Sequence, residues 1–225
     1  MVYTLTLSVS KPKQLVHIEW SPEFAYAIGL LVTDGSLSKS GRHINFTSKD
    51  KALVRTLRAC LRTNQNITKK TRGGQTMKKY YQVQIGDVVF YRFLESIGLS
   101  QNKTHTIGTV DVPNHLFFDF LRGHFDGDGT FYSYYDPRWK SSFMYYMTFI
   151  SASKKHLLWL RGRINDLADV KGHLCSPAKS RVSQLRFAKR ETEILVKKMY
   201  HSPRVPCLGR KHLKIQRALS ILTGP

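Results

Sequence analysis

Apolar positions along this chain switch between two periods at regular places. Phe24, Ala27, Ile28 and Leu31 recur at helical spacing. Ser21-Pro22-Glu23 before them reads as a helix start, with a serine cap, proline at the first helical position and an acid in the first turn. Gly35 is expected to stop that helix in a left-handed conformation. From Arg42 to Ser48 the period becomes two, with Ile44 and Phe46 on one face and Asn45 and Thr47 on the other. Asp50 then caps a predicted helix reaching about Leu61. Lys78 to Ile85 alternates again, and Asp87 caps a helix to about Ile97 that Gly98 closes.

The second half repeats this order. A helix is predicted from about Pro113 to Gly129, followed by strands over 130–135 and 143–151 and a helix from Ser153. Arg181 to Phe187 alternates, with Gln184 and Arg186 opposite Leu185 and Phe187. Two more helices are expected near 190–200 and 208–222. Each half therefore reads helix, two strands, helix, two strands, helix, an internal repeat of α+β type. The expected division is an N-terminal extension at 1–20, a first half at 21–98, a linker at 99–112 and a second half at 113–225.

Composition narrows the partner. The 225 residues carry 36 Lys+Arg against 15 Asp+Glu, a formal net charge of +21, which favours a polyanion. Basic residues gather where strands are predicted, and acids gather at helix ends. Cys60, Cys175 and Cys207 are odd in number and lack a CxxC pair, which argues against a disulfide framework or a cysteine zinc site. Cys60 is expected to be a small core residue. No apolar run reaches transmembrane length, so no membrane partner is expected. The expected location is the cytoplasm or nucleoid, or an organelle matrix. Trp20, Trp139 and Trp159 are expected to anchor core or sheet. The run Phe131-Tyr132-Ser133-Tyr134-Tyr135 is expected mainly to pack a strand, and His124 to be packed or near nucleic acid.

The repeat also places chemistry. Ala27-Ile28-Gly29-Leu30-Leu31-Val32-Thr33-Asp34-Gly35 and Leu121-Arg122-Gly123-His124-Phe125-Asp126-Gly127-Asp128-Gly129 each end an apolar helix in Asp-Gly. A carboxylate at a helix C-terminus is repelled by the partial negative charge there, and a divalent cation reverses that sign. Gly29 and Thr33, like Gly123 and Gly127, make a small ridge that lets two helices approach and brings Asp34 near Asp128. Hard oxygen ligands of this kind suit Mg²⁺, which also takes phosphate oxygens.

These two motifs resemble those of the LAGLIDADG homing endonucleases in their single-chain, two-motif form. The second copy is the stronger match, and the first has Val32 where the motif often carries an acid. The resemblance runs from about Pro22 to Leu222. It implies two pseudo-symmetric αββαββα halves, each with an antiparallel DNA-binding sheet, with the motif helices packed at the interface. It implies Mg²⁺-dependent hydrolysis of both strands of duplex DNA. Mn²⁺ is expected to substitute and Ca²⁺ to bind without supporting cleavage. Asp34 and Asp128 are then the metal-binding catalytic acids, with the carbonyls of Thr33 and Gly127 as further ligands. Lys103 and Lys211 fit the basic residue near the cleaved phosphates, and Ser48 and Ser151 the polar, water-ordering position. Both serines equally suit ordinary strand-to-helix turns.

Recognition is expected at outward strand positions. These are Lys39, Asn45, Thr47, Lys69, Arg72, Lys78, Tyr80, Gln82 and Gln84 in the first half. In the second they are Tyr132, Arg138, Lys140, Lys179, Arg181, Gln184 and Arg186. Arg reads guanine and Asn or Gln reads adenine in the major groove. Two halves on two turns imply a weakly palindromic site of about 20 bp, bound by a monomer. Two alternatives stay open: an intron RNA maturase, and a DNA-binding regulator that does not cut.

Overall fold

The computed structural model describes residues 14–71, 79–139, 141–176 and 180–223. Among them the chain forms seven α-helices and eight strands in two halves of like order. The first half runs α1 (Pro22–Asp34), β1 (Gly35–Leu37), β2 (His43–Ser48), α2 (Lys51–Cys60), β3 (Ile67–Lys70), β4 (Tyr80–Gly86) and α3 (Val88–Ser96). The second runs through a 3₁₀ turn at Asn114–Leu116 into α4 (Phe117–Asp128), β5 (Thr130–Tyr135), β6 (Phe143–Ser151), α5 (Lys154–Ala168), β7 (His173–Cys175), β8 (Ser183–Ala188) and α6 (Lys189–Met199), and adds α7 (Gly209–Thr223). Both sheets are antiparallel, and their strand orders correspond: β1-β2-β4-β3 and β5-β6-β8-β7. The α+β reading and its repeat therefore stand.

The helix starts form for the expected local reasons. The Ser21 hydroxyl accepts from the Phe24 amide, Asp50 from Ala52, Asp87 from Phe90 and Ser153 from His156. Strand alternation sorts Ile44, Phe46, Val83 and Ile85, and likewise Phe131, Tyr145, Met147, Phe149, Leu185 and Phe187, into the core.

α1 and α4 differ from the other helices in being buried on nearly every side, from Phe24 to Val32 and from Asp119 to Asp126. They run parallel and touch backbone to backbone. A Cβ at Gly29 would stand 2.1 Å from the Phe120 carbonyl oxygen, and one at Gly123 2.0 Å from that of Tyr26. One turn on, a Cβ at Gly127 would meet the Thr33 hydroxyl at 1.9 Å. The small ridge thus sets the helices in register, and their C-termini meet.

Three expectations need correction. Gly35 is not a left-handed cap: its φ of −79° and ψ of 152° are extended, because the chain passes straight from α1 into β1. Glycine is needed there for space, since a Cβ would lie 2.4 Å from the Leu31 carbonyl oxygen. Trp139 anchors nothing; it is 70% exposed on the β5–β6 connection, whereas Trp159 packs on Phe117, Phe120 and His156. Lys69 pairs with Tyr81, whereas Thr68 and Lys70 pair with Gln82 and Tyr80. With a period of two, Lys69 is on the opposite face from Gln82, and Lys70 takes the outward position.

The linker is a packed element. Leu99, Ile107, Val110 and Val112 are buried, and His156 Nδ1 lies 2.6 Å from the Gly108 carbonyl oxygen. Among the described residues no helix is long and apolar enough to cross a membrane.

Candidate active site

Asp34 and Asp128 close α1 and α4 side by side. Gly127 lies against both Thr33 and Asp34, whose Oδ2 would stand 3.1 Å from an added Cβ. Burial pushes the Asp34 carboxyl up to about 6, and the Asp128 charge adds to that rise. Asp128 is raised by burial too, with Lys103 and Lys211 pulling the other way. Each group also faces the negative end of its own helix. Two partly desolvated acids facing one another could hold a cation in an otherwise basic molecule. Among the described residues, no three His, Cys, Asp or Glu side chains converge on one point. Two carboxylates with nearby carbonyls make an open donor set, which suits a hard cation that keeps water and takes phosphate oxygens.

The two lysines occupy equivalent positions. Lys103, in the linker turn, donates from Nζ to the carbonyls of Thr33 and Gly35. Lys211, in the first turn of α7, donates to those of Gly127 and Gly129, at 3.4 and 2.6 Å, and to Phe125 and Asp126. Each ammonium therefore caps a motif-helix C-terminus beside its aspartate. Burial lowers both to about 8, while neighbouring aspartates hold them up. The Thr33 and Gly127 carbonyls expected as metal ligands carry these lysine bonds and keep a second lone pair each.

The serines sit otherwise. The Ser48 hydroxyl accepts from the Asp50 amide and the Ser151 hydroxyl from Ser153. These are turn bonds that start α2 and α5, and among the described residues neither hydroxyl bonds to Asp34 or Asp128.

Of the expected contact residues, Asn45, Thr47, Tyr80, Gln82 and Gln84 share the outer face of the first sheet. Tyr132, Gln184 and Arg186 share that of the second. Lys39 lies in the β1–β2 turn, and Arg181 is exposed just before β8. Arg138 lies on the β5–β6 connection, held by Asp136. Arg72, Lys78, Lys140 and Lys179 lie outside the described residues, as does most of the 1–20 extension.

The LAGLIDADG-like domain family matches residues 21–98. I-SmaMI bound to uncleaved DNA in the presence of calcium superposes with a TM-score of 0.60 at 12% identity, covering 91% of this chain and 92% of that one. The I-LtrWI LAGLIDADG homing endonuclease bound to target DNA gives 0.58 at 13%, covering 89% of each. Full-length DUF199/WhiA from Thermatoga maritima gives 0.56 at 18%, covering 92% of this chain. This chain spans only 63% of that longer protein. No curated protein matches the chain significantly. Residues 21–98 thus match a LAGLIDADG-like domain, and the chain as a whole shares the two-motif LAGLIDADG fold.

Within this LAGLIDADG fold, the sequence reading missed a buried polar lattice behind the second motif. Asp126 Oδ2 accepts from the Tyr26 hydroxyl at 2.8 Å and from the Leu208 amide at 2.7 Å, tying α1, α4 and the start of α7 together. Lys211 follows Leu208 by one turn, so Asp126 anchors the segment that carries it. Arg122, wholly buried, pairs with Asp119 at 2.7 Å and donates to the Met199 and Pro206 carbonyls. Val32 stands at the place of Asp126 in the first copy, and Lys103 is instead delivered by the linker turn. The extra acid in Phe125-Asp126-Gly127-Asp128 was the available signal.

Proposed function

We propose that this protein is a monomeric, site-specific endonuclease that hydrolyses both strands of duplex DNA with divalent metal. The observation that carries the reading is the pair of partly desolvated, mutually repelling carboxylates at abutting helix ends, each with its own lysine, between two like sheets. Asp34 and Asp128 would hold the metal, Mg²⁺ by preference with Mn²⁺ able to replace it, aided by the Thr33 and Gly127 carbonyls. The bound cation would supply water activation and stabilisation of the leaving oxygen. Lys103 and Lys211 place fixed positive charge beside the two carboxylates, where negative charge grows on a phosphate under attack. Two corresponding lysines suit two strands. The sheets would follow the major groove on either side, about one turn each, giving a target of about 20 bp. One chain brings both carboxylates, so a monomer suffices. The likenesses to I-LtrWI bound to target DNA and to I-SmaMI bound to DNA with calcium support this reading.

The test is selection of cleaved targets from a randomised duplex library with Mg²⁺, beside an Asp128→Asn control. A single enriched long site cut only by the unaltered protein is the expected result. Enrichment by binding without cutting, in Mg²⁺ and Mn²⁺ alike, would replace the nuclease with a DNA-binding regulator. No DNA enrichment would turn the reading toward intron RNA.

A further inference from the structure

The two sheets share a topology but not a surface. On the outer face of the first, register places Ser36, Asn45 and Gln84 in one row and Thr47, Gln82 and Thr68 in the next. Every one of these carries an amide or a hydroxyl. The Gln82 amide donates to the Asn45 carbonyl at 2.7 Å, which leaves Asn45 a donor and Gln82 an acceptor for a base edge. On the second sheet the corresponding face holds Thr130, Thr148 and Arg186 in the row next to α4 and Ile150 and Gln184 beside it, and outward along β5 and β6 it becomes a cluster of Tyr132, Tyr134, Met144 and Tyr146. The three tyrosine rings lie nearly parallel, with centroids 5.1–6.5 Å apart and planes within 20°. Arg186 ties the polar row to the tyrosine cluster. Arg186 lies 5.7 Å from the centroids of both Tyr132 and Tyr146 and donates to the Gln184 carbonyl at 3.2 Å.

We infer that the two sheets read their half-sites by different chemistry, and that the second selects thymine through its 5-methyl group. This rests on the duplex-DNA reading above. An apolar surface laid on polar base edges strips them of water without replacing their hydrogen bonds. Thymine alone offers the major groove a methyl group, and apolar side chains are its partners. The stacked tyrosines hold their positions before DNA arrives, so little side-chain freedom is lost on contact. β5 leaves α4 directly after Asp128, so this face is continuous with the carboxylate site. The molecule's charge of +21 brings the duplex to it. The first sheet, with its free donor and acceptor, reads hydrogen-bonding edges, adenine foremost.

Replacing thymine by uracil tests this, because it removes the methyl and leaves every hydrogen-bonding group in place. The full chain is used to select bound duplexes from two randomised libraries, one made with thymine and one with uracil. The strongest thymine-library site is then resynthesised with uracil in one half at a time. Gln84→Ala, whose side chain is exposed, identifies the half read by the first sheet as the one whose preference it relaxes. The expected result is thymine enrichment in the other half, where uracil weakens binding at least tenfold. That follows from a loss of roughly threefold to fivefold per methyl. Uracil in the first half is expected to change binding less than threefold. Equal sensitivity in both halves, or none in either, overturns the inference while leaving the endonuclease reading intact. Failure of both libraries to enrich removes the duplex-DNA reading and this inference with it.

Discussion

Asp34 and Asp128 oppose folding when they are charged. The folded state keeps a proton on Asp34 up to about pH 6, whereas an ordinary aspartate releases it near 3.8. Between those values the native state binds more protons than the unfolded chain, so this group's contribution to stability falls as the pH rises. Asp34→Asn is therefore expected to raise unfolding free energy at pH 7.5 by on the order of 1–3 kcal/mol, read from urea titration, while abolishing cleavage. Cation binding must displace the same proton at low pH. Calorimetry with Mg²⁺ should show weaker binding and proton release at pH 5.5, and neither effect near pH 7.5. Lys103→Met or Lys211→Met should lower single-turnover cleavage by about 10²–10³-fold, with duplex affinity nearly unchanged. What could be read in advance at this scale was residue type and place: both aspartates and both lysines. Asp126 went unseen because its partners, Tyr26 and Leu208, are distant in sequence and come together only through helix packing.

At the scale of elements, the contact of α1 with α4 carries most of the specificity. Gly29 and Gly123 are set against backbone, which cannot move aside as a flexible side chain would. Gly29→Ala should destabilise the protein by about 2 kcal/mol or more and lower its melting temperature. Gly162 is the contrasting case: it is exposed on α5 with open space where a Cβ would go. Gly162→Ala should add roughly 0.5–1 kcal/mol. Circular dichroism melts of the two variants check both signs. Periodicity found the helices and long strands because each has a buried face, and Asp50, Asp87 and Ser153 marked their helix starts locally. It failed where a local sign has two meanings. Gly35 after a helix suits a left-handed cap or a crowded exit, and only the nearness of Leu31 decides. Lys69 and Lys70 are adjacent on an edge strand, and the pairing register with β4 decides which faces outward.

For the whole molecule, electrostatics should dominate affinity. If the two sheets together engage six to ten phosphates, binding to duplex DNA should fall roughly 10³–10⁵-fold between 50 and 200 mM salt. The logarithmic slope, measured by fluorescence anisotropy, gives the number of phosphates. A slope near zero would be incompatible with groove binding by a chain of charge +21.

The sequence by itself determined the α+β order, the repeat, the excess positive charge and the two Asp-Gly helix ends, because each rests on local spacing or on a sum over residues. Tertiary structure decided the rest. Packing α1 on α4 brought two separate aspartates together, and folding the linker and α7 back placed a lysine on each helix end. Pairing strands in register gathered Asn45, Gln82 and Gln84 on one sheet face and stacked Tyr132, Tyr134 and Tyr146 on the other. These are juxtapositions of residues far apart in the chain, fixed by close packing and strand register, which no local period encodes.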